Sequence, residues 1–350
     1  MSEKRFFRVG VDGQLTRFHV LDELLIALQD GGYAWLDFFD PTREDLMALV
    51  EPFGLHPLSV EDCLDEDQVP KIEDFPTNTF VLINGYRYQE GVLTVEEVDF
   101  VLGKNFLLTA TGHQGGSLPF YQKVEDVVHT DPASVKPGPD FLLHIILDYV
   151  VDHKFAAIEA VQDAIDAAEE EILQSPTAFG PETLMRLQRD LLTLRKSLFY
   201  EREILVKVCR RDSPFISDKA IYHFRDIYDH LAKYYEIVEI GREMITSLME
   251  MYLSMISNRM AEAANRTNAT VRRLTMITTV FMPLTLLAGI GGMSEWTMMT
   301  GQANWKIAYP AFLLGMAAIG VFNYWLLKLA EARQVGLQPA SPRVSVDART

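Results

Sequence analysis

The stretch LTMITTVFMPLTLLAGIGGM, Leu274 to Met293, contains no charged side chain. A second uncharged run, from Ile307 to Leu327, follows after a short loop. A helix of about 20 residues is long enough to cross the roughly 30 Å hydrocarbon core of a bilayer. The alternative is a pair of buried helices in a soluble core, but core helices seldom stay uncharged on every face for this length. The sequence therefore predicts two membrane-spanning helices.

Basic residues lie outside this predicted hairpin and are scarce between its two helices. The loop 294–306 carries only Glu295 and Lys306 as charges. By the positive-inside rule, both termini are then cytoplasmic. The first residues contain no apolar signal region, so we predict a multi-pass protein of the cell (inner) membrane with a cytoplasmic N-terminal part. The flanking basic residues are Arg266, Arg272, Arg273, Lys328 and Arg333.

The composition argues against several function classes. A formal net charge of -17 does not favour a nucleic-acid partner. Cys63 and Cys209 fit reduced, buried thiols, because two cysteines cannot form a disulfide framework or a structural zinc site alone. The sequence shows no Ser/His/Asp order, phosphate-binding loop or metal-ligand spacing, and its eight histidines look scattered. We therefore predict that the protein is not an enzyme.

Residues 1–138 alternate short β-type runs with helical patterns, which predicts a cytoplasmic α/β domain. The strand-like runs are RFFRVG, LTRFHV, YAWLDFF, TFVLINGYRY, VDFVLG and NFLLTATG. Helical periods then predict a cytoplasmic helical hairpin over 139–217 and a stalk helix over 218–293 that continues into the first membrane helix. The remaining predicted segments are an extracytoplasmic loop at 294–306, a second membrane helix at 307–329 and a disordered cytoplasmic tail at 330–350.

The predicted stalk helix is long, because only Gly241 and Pro283 interrupt its pattern before the glycines at 289–292. A hinge near Gly241, which would divide it into two helices, is the alternative. The helical stretch from Phe141 to Leu173 is strongly acidic and has Lys154 as its only Lys or Arg. That run of charge is either an ordinary solvated face or a surface that concentrates cations near a permeation path.

A seam of small and weakly polar residues runs along the first predicted membrane helix. Its 3.5-residue period places the members on one helix face and continues backwards to Glu250 in the cytoplasm. The opposite face, with residues such as Ile277 and Leu284, is bulky enough to face lipid or the second membrane helix. The seam residues are Asn268, Val271, Thr275, Thr278, Met282, Thr285, Gly289 and Gly292.

Small residues on a membrane helix most often permit close helix packing, which is the simplest interpretation of the seam. That interpretation accounts less well for threonines in register with a cytoplasmic asparagine and an acidic residue. A ring of such helices would enclose a water path lined by hydroxyl and carboxamide groups. Apolar collars at Val271, Leu274 and Met282 would close that path by dewetting. We therefore predict that the seam lines a pore formed by several copies of the chain.

Over almost its whole length the chain resembles the CorA-type divalent metal ion transporters. The stretches NRTNATVRRLTMITTVFMPLTLLAGIGGMSEW and NWKIAYP look like the membrane hairpin of that family. Three cytoplasmic blocks follow the family's order: LHPLSVEDCLDEDQVPKIEDF, VEEVDFVLGKNF and HFRDIYDH. The resemblance implies an α+β membrane protein. It would be a homopentamer with a cytoplasmic α/β domain, long helices forming a funnel, and a C-terminal two-helix transmembrane hairpin.

The resemblance also implies roles for particular residues. The family's regulatory Mg²⁺ site uses two aspartates from neighbouring subunits, which match Asp62 and Asp226. Without the family, each would pass for a helix cap or a surface carboxylate. Glu250 falls at the wide cytoplasmic part of the family's pore. The other matching pore positions are Asn268, the hydrophobic constriction at Val271, Leu274 and Met282, and Thr275 and Thr285 between and beyond it.

Two departures from the family pattern concern the pore. The segment MAEAANR, 260–266, looks like an extra heptad, which would lengthen the funnel neck without changing the face that points to the axis. The family's usual Gly-Met-Asn is Gly292-Met293-Ser294 here, and its MPEL is MTGQ. The predicted selectivity mouth therefore consists of Gly292, Met293, Ser294 and Glu295.

Mg²⁺ is the expected cargo, with Co²⁺ and Ni²⁺ as further candidates, because hydroxyl and carboxamide oxygens suit an ion that dehydrates reluctantly. Zn²⁺ favours Cys and His ligands, which the seam lacks, although zinc-transporting relatives of the family exist. A non-conducting membrane metal sensor is the alternative from a different class. The sequence thus predicts channel-like divalent cation transport that cytoplasmic metal gates.

Overall fold

The computed structural model describes residues 3–65, 68–112, 120–292, 301 and 304–335. The chain divides into two compact units, Met1–Ser254 and Met255–Thr350. The first unit contains a sheet, several short helices, two long helices and the first part of a third. The described part of the second unit contains the rest of that third helix and one further helix.

A seven-stranded sheet forms the centre of the first unit, with the strand order β2-β1-β3-β7-β6-β5-β4. Strands β3 and β7 pair parallel, and the other neighbours pair antiparallel. The sheet contains all six strands that the sequence predicts, and it adds β4. The strands are β1 Glu3–Val9, β2 Leu15–Phe18, β3 Tyr33–Phe39, β4 Lys71–Asp74, β5 Asn78–Gln89, β6 Val92–Gly103 and β7 Phe106–Thr111.

The parallel pair β3 and β7 is covered on both faces, and every residue of β7 is buried. Runs that are apolar throughout are typical of such strands. The one acid within this centre, Asp37 in β3, is satisfied. Its Oδ1 accepts a 2.7 Å hydrogen bond from Thr109 Oγ1, and its Oδ2 lies 2.9 Å from Arg5 Nη1. Burial raises the pKa of Asp37, and these two partners oppose that rise.

Short helices cover part of the sheet and close the core around Leu24, Leu46 and Val60. A capping box between Thr42 and Asp45 begins the second of them. The helices are α1 Leu21–Ala27, α2 Arg43–Met47, α3 Val50–Phe53, α4 Pro57–Asp62 and α5 Phe120–Thr130. Of the two cysteines, Cys63 after α4 is buried as predicted, whereas Cys209 is only half-buried; both are free thiols.

Two long helices pack beside the sheet: α6 Pro139–Gln174 and α7 Glu182–Cys209. Lys154 of α6 is fully buried, and its Nζ lies 2.7 Å from Glu201 Oε1 of α7, which is also fully buried. The same ammonium donates to the backbone carbonyl of Asn84 in β5. The only Lys or Arg in the acidic stretch of α6 is therefore neutralised internally, and no other Lys or Arg on that helix lies among its exposed carboxylates.

The third long helix, α8, runs from Ile221 to Gly291 and contains Pro283. It passes through Gly241 without a break, so the alternative of a hinge there is wrong. A Cβ at Gly241 would lie 3.3 Å from Leu191 Cδ2 and 3.5 Å from Ile165 Cδ1. Gly241 thus permits close packing of α8 against α6 and α7. The last helix, α9, spans Trp305–Val335.

Candidate functional site

Among the described residues, two helices are long and apolar enough to cross a membrane by length and composition, and their apolar windows lie in Ile221–Ile290 and Lys306–Leu329. None of either window is buried within the chain. The alternative of two core helices of a soluble protein requires burial, so the structure contradicts it. The exposed apolar surface therefore needs lipid or other subunits to cover it.

Within the second unit, α8 and α9 contact one another along one side of each helix. The half-buried residues of α8 include Met276, Val280, Leu284 and Leu287, whereas the surrounding positions are mostly exposed. A Cβ at Gly320 of α9 would lie 3.4 Å from Leu284 Cδ1. Small residues permit this kind of close approach between apolar helices. This side of α8 is therefore its packing side within the hairpin.

The predicted seam lies on the opposite side of α8, because at about 100° per residue Thr278 points directly away from Leu287. The three predicted apolar collars are open in one chain: Val271 is 55% exposed, Leu274 64% and Met282 71%. Its polar members Asn268, Thr275, Thr278 and Thr285 and its glycine Gly289 are exposed as well, as is Glu250. The seam is therefore available to a partner other than α9.

The seam threonines bond locally. The Thr275 hydroxyl donates to the Val271 carbonyl at 2.9 Å, and Thr285 donates to Phe281 at the same distance. Thr278 donates to Leu274 at 2.8 Å. Each hydroxyl has one hydrogen and two lone pairs, so this bond uses the hydrogen and leaves the oxygen as an acceptor. The seam thus presents hydroxyl oxygens that can accept hydrogen bonds from water around a cation.

The predicted mouth lies at the edge of the described structure. Gly292 is exposed just after the end of α8, while Met293, Ser294 and Glu295 lie outside the described residues. The arrangement of the four residues therefore stays a prediction.

Asp62, the first predicted regulatory aspartate, is the last residue of α4. His56 caps the start of this short helix, accepting from the Leu58 N–H, with Pro57 as its first residue. At the end of this helix, the side-chain amide of Gln68 donates to the backbone carbonyl of Asp62 at 2.6 Å. The Asp62 side chain is 17% exposed, and its Oδ1 lies 2.7 Å from Lys71 Nζ in β4. This ion pair was not predicted from the sequence.

Asp226, the second predicted aspartate, lies on the exposed surface of α8, near two histidines. The rings of His144 and His223 are 4.9 Å apart between centroids, so these histidines are not scattered, contrary to the prediction. Burial, together with His223, lowers the pKa of His144 to about 4, and Asp226 opposes that change. Burial and then Asp152 raise the pKa of Asp148 on the same surface.

No hydrogen bond or ion pair joins Asp62 to Asp226 among the described residues of one chain. Within that same part of the chain, no three His, Cys, Asp or Glu side chains are arranged to hold a metal ion. The regulatory site at these two aspartates therefore stays a prediction.

Known proteins resemble this chain over most of its length. The family model described as "CorA-like Mg2+ transporter protein" matches residues 30–329. The cobalt/magnesium transport protein CorA of Thermotoga maritima is 34% identical over 300 residues, which cover 82% of this chain and 80% of that protein. The zinc transport protein ZntB of Yersinia enterocolitica is 25% identical, over 83% of this chain and 86% of its own length.

A solved structure has the same fold. The complete structure of the CorA magnesium transporter from Methanocaldococcus jannaschii matches with a TM-score of 0.68 at 20% identity, covering 94% of this chain and 97% of that chain. The shared fold comprises an N-terminal α/β part, a long helix and a C-terminal helix. Together with the family match, which spans most of the sequence, it leads to one conclusion: the chain belongs to the CorA-like Mg²⁺ transporter family, a family of membrane transporters of divalent cations.

Proposed function

We propose that this protein is a homopentameric channel for divalent cations in the cell membrane, with Mg²⁺ as the main cargo and Co²⁺ or Ni²⁺ as further ones. The observation that carries the proposal is the position of the seam, which faces away from α9 and is exposed in the part of the chain that the structure describes. The relatives that carry transport names support the choice of ion, since the protein from Thermotoga maritima is named for cobalt and magnesium.

Exposure along α8 supports assembly from several copies. Every residue from 257 to 275 is exposed in one chain, so this part of the helix gains no stability from burial. Most helices in proteins depend on such packing. A ring of α8 helices would supply it, with the seam turned to the axis and Glu250 at the wide cytoplasmic end. The basic flanks of the hairpin favour cytoplasmic termini.

The chemistry of the seam suits a cation that keeps its water. Mg²⁺ dehydrates reluctantly, and the oxygens of Thr275, Thr278 and Thr285 can accept hydrogen bonds from its hydration shell. Asn268 adds a carboxamide oxygen. Val271, Leu274 and Met282 would form apolar rings that stop conduction by dewetting when the helices approach. The seam residues include neither Cys nor His, which argues against Zn²⁺ as the preferred ion.

The entrance to this pore would be the Gly-Met-Ser variant of the family motif, with Gly292, Met293 and Ser294 followed by Glu295. Glycine permits close approach of backbones at the end of the helix. Ser294 offers one short hydroxyl where the usual asparagine offers a longer carboxamide. Glu295 would attract divalent cations by charge, with little discrimination among them.

Cytoplasmic Mg²⁺ would hold the pentamer closed through Asp62 of one subunit and Asp226 of the next. Carboxylate oxygens are suitable Mg²⁺ ligands, and both side chains reach the surface. Two facing carboxylates repel one another unless a cation lies between them. Loss of internal Mg²⁺ would therefore let the subunits separate and the apolar rings widen.

Flux of Mg²⁺ into proteoliposomes that contain the purified protein tests the proposal. We expect uptake when the internal solution is free of metal, and little uptake at high internal Mg²⁺. Met282→Ala replaces the most exposed of the three proposed collar residues with a smaller one, so it should increase the leak at high internal Mg²⁺. The matched control is Ile277→Ala, which lies on a different side of α8 less than two turns away and should leave the leak unchanged.

Two outcomes would contradict the proposal. An intact pentamer that passes no Mg²⁺ under metal-free internal conditions would be the mark of a membrane metal sensor. Equal leak in Met282→Ala and Ile277→Ala would show that the seam does not line the conducting path.

A further inference from the structure

The ion pair between Lys71 and Asp62 places a fixed positive charge on the proposed regulatory carboxylate. Lys71 Nζ lies 2.7 Å from Asp62 Oδ1 and 3.2 Å from Glu73 Oε1. Lysine side chains have an ordinary pKa of about 10.5, and this one lies between two carboxylates. The ammonium is therefore a permanent charge at physiological pH.

The protein holds both partners of this pair in place. Lys71 begins β4, where its backbone pairs with Leu82 of β5, and its Nζ lies 5.4 Å from the centre of the Phe80 ring. Asp62 ends α4, and Gln68 binds its carbonyl. Partial burial of both side chains and the contact with the Phe80 ring restrict the Lys71 side chain, which reduces the side-chain entropy lost when the pair forms. The contact is thus a stable feature of the chain on its own.

We propose that Lys71 is a tethered competitor for the regulatory cation, so that it sets the Mg²⁺ concentration at which the protein closes. A divalent ion that binds Asp62 must either displace the ammonium or bind beside it against charge repulsion. In the absence of metal, the ammonium also offsets part of the repulsion between Asp62 and Asp226 of the next subunit. Both effects weaken the response to Mg²⁺. This inference rests on the proposed function, since it deepens the assignment of Asp62.

The chain contains a matched pair for comparison at the other end of β4. Lys207 Nζ lies 2.6 Å from Asp74 Oδ2, with side chains 34% and 22% exposed, close to the 29% and 17% of Lys71 and Asp62. It is the same kind of interaction on the same strand, but neither residue is proposed to bind metal. Lys207→Met therefore controls for the loss of a structural ion pair.

The experiment measures Mg²⁺ binding to the full-length protein in detergent, by titration calorimetry and by protection of the cytoplasmic part from protease. Loss of one competing charge is expected to tighten binding by about tenfold, the factor that corresponds to roughly 1.4 kcal/mol. Lys71→Met should therefore lower the Mg²⁺ concentration for half-maximal protection about tenfold. Lys71→Arg, which keeps the charge, should resemble the native protein, as should Lys207→Met.

Asp62→Asn separates failure of this inference from failure of the proposed site. If Asp62→Asn leaves Mg²⁺ binding unchanged, Asp62 is not a regulatory ligand, and the competitor role of Lys71 is wrong as well. If Asp62→Asn weakens binding but Lys71→Met does not tighten it, the site stands and only the competitor role is wrong. Where Lys71→Met does not assemble, Lys71→Gln serves in its place. The melting temperature of each variant is compared with that of the native protein, so that a loss of stability is not mistaken for a change in binding. Tighter binding must disappear when Lys71→Met is combined with Asp62→Asn.

Discussion

Replacement of Glu201 by glutamine should destabilise the first unit strongly, because it leaves the Lys154 ammonium without a counter-charge. Both side chains are fully buried. Glu201 also accepts hydrogen bonds from the Asn84 N–H at 3.0 Å and from the Ser197 hydroxyl at 3.2 Å. Removal of one partner from a buried pair typically costs about 3–5 kcal/mol.

The structure also sets an upper limit on that cost. Burial already lowers the pKa of Lys154 even though Glu201 opposes the change. In Glu201→Gln the ammonium can lose its proton instead of remaining charged. Removing a proton from a lysine at pH 7 costs at most about 5 kcal/mol, given an ordinary pKa near 10.5 and about 1.4 kcal/mol per pH unit. We therefore expect a loss of about 3–5 kcal/mol at pH 7, and a smaller loss at pH 9.

The assay is thermal unfolding of the purified protein at pH 7 and pH 9, followed by circular dichroism. For a unit of this size, about 1 kcal/mol corresponds to roughly 2–4 °C, so Glu201→Gln should lower the melting temperature by about 6–20 °C at pH 7. The matched control is Asp218→Asn, which breaks an exposed pair with Arg211, and it should cost no more than about 1 kcal/mol. The double variant Lys154→Met with Glu201→Leu should recover most of the loss.

Two results would refute this reasoning. One is a melting temperature for Glu201→Gln that equals that of Asp218→Asn. The other is a double variant as unstable as the single one, which would show that lost packing, and not an uncompensated charge, causes the effect.

Two further predictions concern acid stability and ion choice. His144 has a pKa lowered to about 4, so its contribution to stability is present above the unfolded-state value of about 6.5 and is lost as the pH falls toward 4. His144→Leu should therefore reduce the loss of unfolding free energy between pH 7 and pH 5 by about 1 kcal/mol, after allowance for exposure, and the drop in melting temperature should shrink accordingly. An unchanged drop would contradict the role of His144. At the proposed pore mouth, Ser294→Asn should increase the preference for Mg²⁺ over Co²⁺, Ni²⁺ and Zn²⁺ in flux competition, and Glu295→Gln should lower the apparent affinity for all four ions. If neither change alters competition or affinity, the mouth does not select.

The sheet and the long helices follow closely from local sequence patterns. Apolar runs such as those of β3 and β7 predict strands without tertiary information, and the helical period predicts α8 as one long helix. The strand β4 was missed because Lys71–Asp74 offers a single β-branched residue among three charged ones. Its conformation comes from pairing with β5, which local propensity does not reveal.

The same difference between local and distant contacts applies to the candidate sites. The seam is a local repeat on one helix, so its face can be derived from spacing alone, although its role in a pore remains a proposal. The Lys71–Asp62 pair and the His144–His223 contact join separate elements, and nothing local in the sequence indicates them. The burial of Lys154 could have been predicted, because this residue lies on the apolar face of α6 between Val150 and Ile158. A lysine in that position indicates a buried partner.

The exposure of segment 257–275 of α8 affects how readily a protease can cleave a single chain. Its helix is maintained by its own sequence, through alanines and an ion pair of 2.5 Å between Arg266 and Glu262, four residues apart. A helical segment without tertiary contacts opens locally at a low cost in free energy, and protease cleaves opened backbone. We therefore expect trypsin to cleave a single chain at Arg259 and Arg266. In the proposed pentamer, neighbouring copies of α8 would cover this segment, so assembly should protect both sites.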